Sequence, residues 1–159
     1  MFASMAVQEH LIESQDRAAM IDPFVQVAFL NDAIDDLTAA NLDLLDAEWF
    51  ARYARSVDEL TARLNAISIE ATAEARHRGH DRHCGFFSTK AWIKHHVQLT
   101  GSEAHGRIQT MRMFDLLPTW AAAARSGEVG VAQTRLMARV AANPRIHAGT
   151  TRVCRIAAR

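Results

Sequence analysis

The chain has 159 residues, 49% of them apolar and 23% charged, with net charge zero; this is enough for one cored domain with or without an arm, and too apolar to be disordered throughout. Three prolines and seven glycines among recurrent alanine, leucine and arginine point to an all-α protein. Two isolated cysteines, Cys84 and Cys154, exclude a disulfide framework and a CxxC zinc site. The first twenty residues lack a basic leader and are broken by Glu9, His10, Glu13 and Asp16, and no run is apolar enough to span a membrane. A reducing, cytoplasmic setting with no membrane partner is the expectation.

The zero net charge hides a strong polarity. Residues 1–60 carry 12 Asp and Glu against 3 Arg, whereas residues 61–159 carry 6 acids against 15 Lys and Arg. Either the halves neutralise each other, or the basic half faces nucleic acid.

Along the chain, residues 1–40 read as an acidic arm with short helices. Pro23 is expected to break any helix there, and Asn31 or Asp32 to cap a short one through Ile34 and Leu37. From Leu42 the apolar positions Leu45, Trp49, Tyr53, Val57, Leu60, Leu64, Ile67 and Ala71 follow in steps of three or four, one face of a long amphipathic helix or a helix pair. Ser56 with Glu59 resembles a capping box, suggesting two helices meeting near Arg55. The stripe is read first as bundle core and second as a seam for another copy or a longer relative. Gly79 should end this helix, leaving His77 to Gly85 as a polar loop.

Ser88 then caps a helix bearing Trp92, Ile93 and Val97, and Thr100 with Glu103 opens another through Ile108, Met111 and Leu116 after a short turn containing Gly101. Pro118 starts a small helix with Trp120 that Gly127 closes, and a last helix from about Val131 carries Leu136, Met137 and Val140 before Asn143 and Pro144 stop it. Residues 41–146 thus form the helical domain and residues 147–159 a basic frayed tail.

Several segments in this order resemble a known family. The helix with Leu60, Leu64 and Ile67, the loop with Gly79 and Gly85, Ser88-Thr89-Lys90-Ala91-Trp92, the helix opening TGSEAHGR at 100–107, Leu116-Leu117-Pro118 and the turn Ser126-Gly127-Glu128-Val129 are similar to the actinobacterial domain of unknown function that precedes HNH endonuclease domains. Mycobacterial repeat-element proteins belong to that family. The likeness covers about residues 40–146, with Gly130 standing where a Ser or Thr cap is expected. It implies a truncated copy without the HNH part, associated with DNA or mobile elements, or a degenerate repeat copy without selected function.

No catalytic site is expected. An HNH centre needs paired histidines and an asparagine, and Asn143 with His147 lack the upstream partner. His77, His80, His83 and Cys84 have metal-ligand character, but they crowd into eight residues and would need a distant partner such as His105 to close a site, so a solvated loop is the better reading; no cofactor is expected. His95 and His96 are read as surface residues, and Trp49, Trp92 and Trp120 as core.

The pair of helices from Ser88 to Phe114 has the form of a helix-turn-helix. Its second helix would offer Ser102, His105, Arg107, Gln109 and Arg112, with Glu103 opposing phosphate. Lys90 and Lys94 on the first helix, and Arg76, Arg78 and Arg82 before it, would meet phosphates. Two roles follow: a non-catalytic accessory module positioning DNA, or a protein-interaction module that pairs helices without nucleic acid.

Overall fold

The computed structural model describes residues 22–144, and among them every regular element is helical. The tail at 147–159, His147 and Cys154 lie outside the described residues. Helices α1 (Pro23–Ala39) and a 3-10 turn (Leu42–Leu44) belong to one compact unit; α2 (Ala47–His77), α3 (His80–His83), α4 (Thr89–His96), α5 (Gly101–Leu116), α6 (Pro118–Ser126) and α7 (Val131–Ala141) form the other.

Pro23 begins α1 and does not break it. Asp22 caps the helix, its Oδ1 accepting from Phe24 N–H at 2.8 Å, and proline fits the first turn because its missing N–H has no acceptor to lose there. Asn31 and Asp32 lie inside this 17-residue helix, which has no buried residue.

In the second unit α2 runs unbroken for 31 residues, about 46 Å. Ser56 and Glu59 are interior to it, so no helix junction exists near Arg55. Leu42 and Leu45 precede it. Its buried residues are Ala62, Ala66, Ile69, Thr72 and Ala75, not the leucine stripe. Ile69 is 3% exposed whereas Ile67, about 200° around the helix, is 59% exposed, and Leu60 and Leu64 are exposed at 42% and 37%. The alanine face wins the core because small side chains let α5 and α6 approach the helix closely.

Gly79, at φ +68, turns the chain out of α2, and the segment expected as loop contains one helical turn, α3. Buried Asp81 fastens that turn: its Oδ2 accepts from Thr89 Oγ1 at 2.8 Å and its Oδ1 from Arg82 N–H at 2.9 Å. Ser88 caps α4 by accepting from Ala91 N–H. Gln98, at φ +54, makes the turn to α5, so Gly101 is the first residue of α5 and not part of the turn.

The reciprocal Thr100–Glu103 box opens α5. Packed by α2, α4, α6 and α7, α5 buries Ala104, Thr110, Met111, Met113 and Phe114 on several sides. The core joins Ala66 and Ile69 of α2 to Met111, Met113 and Phe114, Ala121 and Ala124 of α6, and Ala138 of α7. Each large member stabilises the fold by roughly 1.5–3 kcal/mol through burial. Gly127 closes α6 at φ +86, where an added Cβ would stand 3.2 Å from Glu59 O. An ion pair between Arg125 and Glu70 joins α6 to α2. No helix among the described residues is long and apolar enough to cross a membrane.

Candidate functional site

One line of polar side chains runs along the part of α5 that meets solvent. Ser102, His105 and Arg112 are exposed and Gln109 half-buried, spaced so that they follow one another up a single face. Arg107 lies on the other side of the helix, half-buried, where the arginines of α7 approach it. Arg135 and Arg139 stand one turn apart on α7, beside the buried face made by Thr134 and Ala138.

Two hollows flank the α5 line. One, of about 340 Å³, is lined by Asn65, Ser102, Glu103, His105, Arg107, Gln109, Arg135 and Arg139. The other, of about 540 Å³, is lined by Arg76, His105, Gln109, Arg112 and Asp115. His105 and Gln109 belong to both, so the hollows form one surface with five arginines against two carboxylates. Burial lowers the pKa of Arg107, and the nearby charge of Arg135 lowers it further, while Glu103 opposes both. The Thr100 hydroxyl and backbone N–H, donating to Glu103 Oε2 at 2.7 and 2.9 Å, hold that carboxyl below its usual range, helped by Arg135 and Arg107. Glu103 is therefore an ionised cap as well as the counter-charge of the first hollow.

Five of the seven expected nucleic-acid residues meet here: Ser102, His105, Arg107, Gln109 and Arg112. Lys90 and Lys94 are exposed on α4 and line neither hollow. The sequence reading passed over Arg135 and Arg139 on α7, although their spacing of four already placed them on one face.

A larger hollow of about 730 Å³ between α2, α5 and α6 is different in kind. Its Glu70 pairs with Arg125, and its Glu74 with Arg78, whose guanidinium holds that carboxyl below the usual range. Three of its charged side chains, Glu70, Glu74 and Arg125, are paired within the protein, whereas Arg76 and Asp115 also line the second hollow.

His77, His80, His83 and Cys84 do not converge: His77 ends α2, His83 Nδ1 lies 2.8 Å from Gly79 O, and Cys84 is exposed. Among the described residues no three His, Cys, Asp or Glu side chains are grouped to hold a metal ion. His95 and His96 are exposed, with ring centroids 5.0 Å apart beside Phe86. Trp92 and Trp120 are half-buried and each buries its indole N–H, whereas Trp49, expected in the core, is 56% exposed beneath the guanidinium of Arg52.

The chain has no significant match among family models, curated proteins or solved structures.

Proposed function

We propose that this chain is a non-catalytic, cytoplasmic helical accessory module of the HNH-nuclease-associated kind, whose basic surface along α5 positions DNA. The observation that carries the reading is the gathering of Arg76, Arg107, Arg112, Arg135 and Arg139 around His105 and Gln109, opposed only by Glu103 and Asp115. Such an excess of guanidinium favours phosphate oxygens. Because α5 is buried on several sides, its exposed line suits contacts along the DNA backbone, which fix position, better than deep entry into a groove, which reads sequence. Fluorescence anisotropy of random duplex DNA at two salt concentrations tests this. Salt-sensitive binding is expected; an absence of binding at low salt overturns it.

A second reading, a protein-interaction module, is favoured by the apolar stripe that α2 turns away from the core. Phe50, Tyr53, Val57, Leu60, Leu64, Ile67 and Ala71, of which Tyr53 and Val57 are half-buried and the rest exposed, alternate in steps of three and four, the seam spacing of paired helices. The exposed Trp49, Phe50, Leu60, Leu64 and Ile67 present roughly 500 Å² of apolar surface per copy, near the lower bound for a stable pair of copies. A second copy or a longer relative would cover it. Size-exclusion chromatography with light scattering across concentration separates a pair from a strict monomer.

A further inference from the structure

The first hollow holds an arrangement that the rest of the fold does not explain. Arg107, Arg135 and Arg139 all line one recess of about 340 Å³, and its single carboxylate, Glu103, is engaged in capping α5. None of the three arginines is in an ion pair among the described residues, where the pairs are Arg78–Glu74 and Arg125–Glu70. Arginine stays protonated in proteins, so packing Arg107 half-buried beside Arg135 costs electrostatic energy that Glu103 offsets only in part. An anion in the recess would return it. Asn65 and Ser102, whose side chains carry neutral donors, line the same recess.

We infer that the recess between α5 and α7 binds a phosphoryl group, held by Arg107, Arg135 and Arg139. Planar guanidiniums donate paired N–H groups that match the oxygen spacing of phosphate, and three of them around one recess favour a phosphoryl group over a lone carboxylate. Arg135 and Arg139 are exposed and one turn apart, so they can close on the group from α7 while Arg107 meets it from α5. The recess also has room beyond one phosphate. Its occupant is therefore either a backbone phosphate of DNA or a free phosphorylated small molecule. Only the first source rests on the DNA-positioning reading.

The test uses the full 159-residue chain, with inorganic pyrophosphate and a random duplex as probes, each titrated by calorimetry in low-chloride buffer. The variants are Arg135→Ala and Arg139→Ala, with Arg107→Gln as a third and Arg55→Ala, exposed on α2 and lining none of the three hollows, as a control. Circular dichroism checks that each is folded; the α7 substitutions are at exposed positions and keep the test open if Arg107→Gln is not. The expected result is saturable pyrophosphate binding, weakened about tenfold or more by each α7 substitution and unchanged by Arg55→Ala. If pyrophosphate also displaces the duplex, the site takes a backbone phosphate. If the duplex binds equally well to Arg135→Ala and Arg139→Ala while pyrophosphate does not, the site stands and its ligand is a small phosphorylated molecule. If the wild type fails to bind pyrophosphate, or the α7 variants bind it as well as the wild type, the inference is overturned, whatever the duplex does.

Discussion

Ile67 and Ile69, two residues apart on α2, have opposite fates: the first stands 59% exposed in the outer stripe and the second is 3% exposed in the core. Truncating each to alanine should separate the two faces. Ile69→Ala is expected to cost about 2–4 kcal/mol through lost burial and the cavity left behind, and Ile67→Ala no more than about 0.5 kcal/mol. Urea midpoints of the two variants measure the contrast; equal losses would mean that the stripe, too, belongs to the core.

The outer stripe has its own prediction. Leu60→Glu with Ile67→Glu should leave the unfolding midpoint close to wild type, because both residues are exposed and lie outside the core cluster. Any concentration-dependent increase in mass seen by light scattering should disappear in this variant.

Gly127 adopts φ +86 against the backbone of Glu59, and an alanine there meets both the left-handed penalty and a close contact. Gly127→Ala should destabilise the chain by roughly 1–2 kcal/mol, read from chemical denaturation. Gly106, whose added Cβ would meet nothing within 4 Å, is the matched control, and Gly106→Ala should be neutral or stabilising.

The Thr89 hydroxyl holds the Asp81 carboxyl below its ordinary value in the folded state. A carboxyl whose folded pKa is depressed contributes stability that is present above its unfolded value and lost as pH falls through the folded one. Thr89→Val should therefore lower the melting temperature at pH 7, and the gap from wild type should narrow on acidification below about pH 4. Calorimetric scans at several pH values read it; a gap that stays constant into acid would show that the ionised form of Asp81 is not what Thr89 stabilises.

On the basic surface, Arg112→Ala should weaken duplex binding and reduce the slope of log affinity against log salt by about 0.9 if it meets one phosphate. Lys90→Ala with Lys94→Ala should change the slope less, since neither lines the two hollows.

Local chemistry made much of the fold legible beforehand. Ser88, the Thr100–Glu103 box, Pro118 and Gly127 each act within a few residues of themselves, and each stands where its side chain or φ predicts. Which face of α2 would be buried was not legible, because periodicity weighs large side chains and α2 carries two apolar faces; close packing by α5 and α6 chose the smaller residues. Pro23 misled for a related reason: a proline that breaks a helix interior also starts a helix well when an aspartate precedes it. In the candidate site, Arg107 and Arg112 were visible on α5, but the company of Arg135 and Arg139 depends on how α7 lies along α5, and no local pattern encodes that.

Helix α2 fully buries no residue before Ala62. Its first fifteen residues, about 22 Å of helix, keep their backbone hydrogen bonds without core residues to anchor them, and a helix of that length is marginal in water. Amide protons should accordingly exchange fast at the Ala47 end and slowly from Ala62 onward, a gradient of protection along a single continuous helix. Whatever settles on the outer stripe will flatten that gradient, so the rod itself reports on its own occupancy.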